Sequence, residues 1–413
     1  MHCEARQVTP SGAQAQCYVV RAGRRVTNEK YAVPSPGYPR IHHRLMTWTQ
    51  AEDIHLANVV RMGDALKTYF PQYAFGAAGR YRSGEYALIA GQEDPRTSVM
   101  GHTLHMNILS PIRYPEQYYL YDLVFDEVHR QGGLSGYAHA YQPPGRGFWV
   151  RQDVTMNVPA RKVDFLEISE FGEIDDQLYY EFLNLGFKLT ATAGSDVPWG
   201  NTIGTSRVYA YLPGGFDPDR WFQAIKEGRT FVTTGPMLEL TVNGQPPGAE
   251  IHVTPRDSVQ IRATASGSGY SVLPRFLEIV SQGDVVRGEV EKDAGQREIS
   301  VEFRLPVQHS TWIAARCSGA RTSPVYLLVG DEPFWKLGAV PQLVDIRFQQ
   351  LRDIESLLRR GPPAGGEGTY NSPQGFKRQT AELAARVEKA RKAYQELLGD
   401  ARRELDKRRV VPR

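Results

Sequence analysis

Cysteine is nearly absent: Cys3, Cys17 and Cys317 are the only thiols among 413 residues. Three cysteines with no CxxC pair exclude a disulfide framework and a zinc ribbon. Long hydrophobic runs are missing too, and no stretch approaches the ~18–20 apolar residues of a membrane-spanning helix. The opening MHCEARQVTPSGAQAQC holds no apolar core of a secretory signal, so localisation stays open, with an extracytoplasmic site still possible if the N-terminus is incomplete. Other motif classes are lacking as well. There is no GxSxG elbow, no Walker loop, no GxGxxG opening a helix, no HExxH and no internal repeat.

What is present describes an ordinary globular protein, 41% hydrophobic, 10% aromatic and 23% charged. Its length suggests two to four domains at roughly 100–200 residues each. The net charge of +3 conceals a polarity. Residues 1–44 carry a balance of +5 and residues 374–413 one of +6, which leaves −8 on the body between them. An acidic body with basic ends gives no support to a nucleic-acid groove and suits metal cations.

Four regions separate by pattern. Residues 1–44, punctuated by Pro, Gly and Arg, predict an irregular lead-in. Over 45–235, strand-like runs at 54–60, 86–91, 104–109, 134–140, 163–168, 188–194 and 206–212 alternate with helical patterns at 115–131, 175–185 and 217–227. This order predicts an α/β fold with a mainly parallel sheet, able to close into a barrel. Residues 236–335 shift to short alternating runs split by NGQPPG, SGSG and SGA turns, the pattern of a small β-sandwich. Residues 336–413 read as a helical hairpin. Val344, Phe348, Leu351 and Leu358 share one face, and Leu383, Val387, Ala390, Tyr394, Leu397, Ala401 and Leu405 form a near-heptad stripe suited to the body or to a homodimer.

Five of the ten histidines fall in the α/β region 45–235. Active sites of parallel α/β folds lie at the C-terminal ends of the strands. There the sequence offers Glu93, His105, His139 and Asp196, a His/carboxylate set that suits zinc and similar divalent ions. A lone strand histidine is more often a core or surface residue than a ligand, and an Asp after Ser often caps a helix. Four such residues at successive strand ends favour a metal site over that bland reading. His102 is a second ligand or a supporting donor, and His55 either points into the fold or is a satisfied core residue. Arg207 is a candidate for an anionic substrate group, with a surface ion pair as the ordinary alternative. His129 reads as a surface helix residue, and His252 and His309 as solvent-facing.

The blocks QAEDIHLANVV (50–60), GQEDPRTSVMGHTLHMNIL (91–109), GYAHA (136–140), VDFLEI (163–168), LNLGFKLTATAGSD (183–196), GTSRVYAYL (204–212), EGRTFVTTGPMLELTVNGQPPG (227–248) and WIAARCSGARTSPVYLLVG (312–330) resemble, in this order, the CehA/McbA-type metallohydrolases. These are relatives of carbaryl hydrolase within the PHP (polymerase and histidinol phosphatase) superfamily. The resemblance spans about residues 45–335 and implies a PHP-like distorted β/α barrel followed by a β-sandwich. It also implies a divalent metal centre, zinc foremost with manganese or iron as alternatives, that hydrolyses an ester, carbamate or phosphoester. Carried over by position, Glu93 matches the family's bridging carboxylate, His105 the ligand of its "GH…HxN" segment, His139 that of "AHP" and Asp196 that of "GSD".

The sequence also departs from that pattern. The family opens with a Gly-Asp-x-His-x-His strand, and no HxH occurs here. In IHHRL (41–45) the adjacent His42 and His43 would point to opposite sides of a strand. Pro198 stands where the superfamily usually has a histidine two residues after the last Asp, and AHA replaces AHP. Either residues 1–44 replace the true first strand, or part of the metal site is lost. Two functions follow. One is a hydrolase using metal-activated water, with Asp196 handling the water's proton, His102 or His55 as acid to the leaving group and Arg207 at the oxyanion. The other is a degenerate member acting as a binding or assembly module.

Overall fold

The computed structural model describes residues 13–19, 32–34, 43–65, 68–140, 153–197, 202–267, 272–362 and 372–410, with backbone alone at 13–19, 43–44 and 409–410. His42 and Pro198 lie outside these residues, and His43 begins a helix, His43–Ala51, rather than a strand.

Each strand expected over 45–235 forms. Leu56–Gly63 lies parallel to Tyr86–Glu93, with Met62 opposite Glu93. Leu134–Tyr137, Phe165–Glu170 and Thr190–Ala193 are parallel in turn. These runs are buried on both faces, which explains their near-continuous apolar character. The intervening helices Tyr121–Arg130, Gln177–Asn184 and Pro218–Lys226 cover the sheet with alternating apolar faces. Asp217 caps the last of these by accepting from the amides of Asp219 and Arg220.

Three features depart from expectation. Residues 1–44 are not wholly irregular, since Ala13–Val19 forms a strand between Leu56–Gly63, to which it is parallel, and Arg207–Tyr211. The sheet is mixed, because Gly101–Met106 runs antiparallel to both Tyr86–Glu93 and Leu134–Tyr137. Among the described residues no ladder joins Thr190–Ala193 to Thr230–Thr233; the Thr230 hydroxyl donates to Ala191 O across that seam at 3.1 Å instead.

Thr230–Thr233 pairs with Arg207–Tyr211 on one side and with Ala320–Thr322 on the other, so the first sheet runs on into the β region. There a three-stranded sheet, Met237–Val242, Ser258–Ser266 and Glu298–Pro306, turns alternate residues inward. They meet Leu277, Ile279, Ile313 and Ala315 in a separate core.

The C-terminal stripe is covered by the chain's own body. Leu383, Val387, Ala390, Tyr394 and Ala401 are at most 3% exposed and join the main core together with Val344, Leu351 and Ile354 of the helix Val340–Arg360. The Tyr394 hydroxyl donates to Thr155 O at 3.0 Å, and Arg391 of the same long helix pairs with Glu355 at 2.6 Å. Of the two partners expected for this stripe, the body and a second copy, the structure shows the body.

Candidate metal centre

The strand Tyr86–Glu93 ends in Glu93, and the chain returns through Arg96 and Thr97, which pair with His102 and Gly101. Cross-strand partners share a face of the sheet. His102 therefore faces the same side as Arg96, while His105 shares its side with Gln92, the neighbour of Glu93 on the opposite face. Because Gly101–Met106 runs antiparallel, its first residues extend past the end of Tyr86–Glu93 and pair with Arg96 and Thr97. Sequence reasoning that places ligands at strand ends selects His105 for that reason; the structure puts His102 there.

His102 Nδ1 lies 3.2 Å from Glu93 Oε1 and 3.2 Å from His139 Nε2. His139 Nδ1 lies 2.6 Å from Glu170 Oε2, a contact in which the ring nitrogen donates to the carboxylate. The His139 amide donates to Glu167 Oε2 at 2.9 Å. That bond holds His139 in a left-handed turn with φ 55°, and Asp196 takes a similar turn with φ 45°. Such conformations are uncommon outside glycine and gather at functional sites. Arg96, fully buried, places Nε 3.0 Å from Glu93 Oε1 and Nη2 3.5 Å from His102 Nδ1.

Glu93, His102, His139, Glu167, Glu170 and Asp196 are all buried. Burial first, then the charges of Glu170, Asp196 and Glu93, push the Glu167 carboxyl well above its ordinary range. Carboxylates this close repel one another, and a cation relieves that repulsion.

The donor set fits a divalent ion on a second, independent ground. A ring nitrogen carries at most one hydrogen. With His139 Nδ1 donating to Glu170, a neutral His139 presents a lone pair at Nε2. Glu93 Oε1 and His139 Nε2 are then two acceptors within reach of His102 Nδ1, and its one hydrogen cannot serve both. Protonating His139 at Nε2 satisfies that contact but turns the His102 lone pair toward the Glu93 carboxylate. With Glu93 as a carboxylate and His139 neutral, one of the two 3.2 Å contacts lacks a hydrogen. A cation among the three atoms satisfies all of them. Zinc–nitrogen and zinc–oxygen bonds of about 2.0–2.2 Å set neighbouring ligand atoms roughly 3 Å apart, as here. A second group of potential ligand atoms comes from His139, Glu167 and Glu170.

Of the expected ligands, the structure brings together Glu93 and His139, with Asp196 near enough to act on Glu167. His105 is not among them. Its Nδ1 bonds Ser135 Oγ and its Nε2 bonds Thr103 Oγ1, each at 3.0 Å, and its ring packs edge-on against Phe125. Burial lowers its pKa to about 3, so it is a neutral core histidine. Arg207 is a backbone clamp: its guanidinium donates to Gly204 O, Glu52 O and Glu52 Oε2 at 2.7–2.9 Å. His55 is buried apart from the cluster, stacked on Tyr86 with 5.4 Å between ring centroids, and burial lowers its pKa. His129 is half-buried and tied to Asp164 at 2.7 Å.

Glu167, Glu170 and Arg96 were not anticipated. Glu167 and Glu170 are three apart, and period-2 alternation would set them on opposite faces. The ladder to Thr190–Ala193 slips there, Thr192 lying opposite Glu167 and Ala193 opposite Ser169. This bulge inserts a residue between the two carboxylates and returns both to one side. The available signal was two acids within the strand run FLEISE, a costly composition for a buried strand unless the acids are used.

No family model matches the chain, and no curated protein matches it. Among solved structures, a two-domain protein from Bacteroides vulgatus containing a predicted PHP-like metal-dependent phosphoesterase aligns over 81% of this chain and 98% of its own, with 9% identity and TM-score 0.40. Fibronectin(III)-like modules of Clostridium thermocellum CbhA align with 22% of this chain and 96% of theirs, at 19% identity and TM-score 0.16. The sulfur carrier protein SoxY of Chlorobium limicola aligns with 24% of this chain and 82% of its own, at 10% identity and TM-score 0.17.

Proposed function

We propose that this chain is a divalent-metal-dependent hydrolase of PHP-like, CehA/McbA-type character acting on an ester, carbamate or phosphoester. The observation that carries the reading is the convergence of Glu93 Oε1, His102 Nδ1 and His139 Nε2, three buried ligand-type atoms close enough together to share one cation. Zinc suits this mixed N/O set, with manganese or iron as alternatives. A divalent ion bound there supplies Lewis acidity, polarising a carbonyl or phosphoryl oxygen and acidifying water.

The chain's own residues do the rest. Glu170 holds the His139 tautomer, the usual carboxylate support behind a ligating imidazole. Glu167 fixes the His139 backbone turn. Asp196, buried beside these acids, orients the attacking water and takes its proton. Arg96 places a positive charge beside Glu93.

A binding or assembly role remains the second reading, favoured by one observation. The opening strand, AQAQCYV, holds no histidine or carboxylate, so it supplies none of the ligands that the family's HxH strand would bring.

The test is hydrolysis of nitrophenyl ester, carbamate and phosphodiester substrates by protein reconstituted with Zn, Mn or Fe. The hydrolase reading expects chelator-sensitive turnover of one substrate class, reduced about 100-fold or more in His102→Ala and His139→Ala. Turnover unaffected by either substitution, or none with any of the metals, contradicts it and leaves the binding role.

A further inference from the structure

The two groups of potential ligand atoms share one histidine and use opposite nitrogens of it. His139 Nε2 faces His102 and Glu93, while Nδ1 faces Glu170 at 2.6 Å and Glu167 at 4.0 Å. An imidazole that offers Nε2 to a cation keeps its hydrogen on Nδ1, where Glu170 accepts it. The nitrogen of the second group is then withdrawn. Three buried carboxyl groups besides Glu167, those of Glu93, Glu170 and Asp196, nevertheless hold up to three negative charges against the two positive charges of one divalent ion.

Arg96 bears on this excess. It is fully buried, an expensive place for a guanidinium unless it is paired. Its Nε sits 3.0 Å from Glu93 Oε1 and its Nη2 3.5 Å from His102 Nδ1, so a fixed positive charge already lies against two of the three ligand residues. Two further arginines, Arg113 and Arg61, pair with Asp94 at 2.7 and 3.3 Å.

We infer that the centre takes a single divalent ion, at Glu93, His102 and His139, and that the Arg96 guanidinium fills the place of a second cation. This rests on the metal-dependent reading proposed above. Arg96 also explains how a chain whose opening strand supplies no ligand keeps the Glu93 carboxylate neutralised.

The test is metal stoichiometry, by elemental mass spectrometry after dialysis against Zn or Mn, on the full chain and its Arg96→Gln and Arg96→Lys variants. Circular dichroism confirms that each variant is folded. We expect about one ion per chain in the unaltered protein and in Arg96→Lys, and about two in Arg96→Gln, where the buried charge must be met by metal instead. Two ions in the unaltered protein overturn the inference but leave the metal centre standing. A folded Arg96→Gln variant that stays at one ion also overturns it. A protein that takes up no ion removes the underlying reading and the inference together.

Discussion

His102 and His105 are three residues apart on one strand and do opposite work. His102 is drawn toward Glu93 and His139, whereas His105 is locked between two hydroxyls. Replacing His105 by Gln removes bonds to Ser135 and Thr103 and is expected to cost about 1–3 kcal/mol near pH 8 while leaving metal content unchanged. Its pH signature has a definite sign. The folded pKa, about 3, lies below the unfolded value of 6.5, so His105 contributes stability that is complete above 6.5 and is lost as pH falls toward 3. Chemical denaturation across this window should show a flatter acid limb in His105→Gln; an unchanged slope contradicts the assignment. Arg207→Ala is expected to lower the melting temperature by loss of its bonds to Glu52 and Gly204, again with metal content unchanged. Concurrent metal loss would return Arg207 to the site.

At the scale of elements, most of the fold was legible. The seven strand-like runs over 45–235 and the three helical patterns appear near their expected places because hydrophobic period and Gly or Asp punctuation are local properties. Strand direction and bulges are not local. The reversal of Gly101–Met106 and the slip opposite Thr192 are decided by pairing partners, and they determine which of His102, His105, Glu167 and Glu170 reach the centre. Sequence spacing therefore selects Glu93, at the end of a forward strand, and His139, two residues past one. On the reversed strand it selects His105, where the structure brings His102 beside Glu93 and His139. The helix Tyr121–Arg130 is tied to this region by His129, whose partner Asp164 also accepts the Ser135 amide at 2.7 Å. The bond to Asp164 raises the His129 pKa against the opposing effect of burial. This latch contributes stability that is fully present below pH 6.5 and is lost as pH rises through the raised folded value. His129→Gln should therefore destabilise more at pH 5.5 than at pH 9, measured by urea titration; the reverse order contradicts the latch.

For the whole molecule, the decisive feature is that the C-terminal helices belong to the body. A near-heptad stripe in sequence does not reveal what it packs on, and here Leu383, Val387 and Tyr394 meet the chain's own core. Leu383→Ala is expected to cost about 2–5 kcal/mol as a cavity in a packed interior. On this packing the melting temperature should be independent of protein concentration, because no second copy is needed to cover the stripe. A concentration-dependent transition would point back to a dimer.

The central claim is that Glu93, His102 and His139 hold a divalent ion while His105 does not. Equilibrium dialysis with Zn or Mn, read by elemental mass spectrometry, tests it most directly on the unaltered protein, Glu93→Ala, His102→Ala, His139→Ala and His105→Gln, each first shown to be folded. The account predicts bound metal in the unaltered protein and in His105→Gln, and its loss in the other three. Metal retained by His102→Ala and lost from His105→Gln would contradict it.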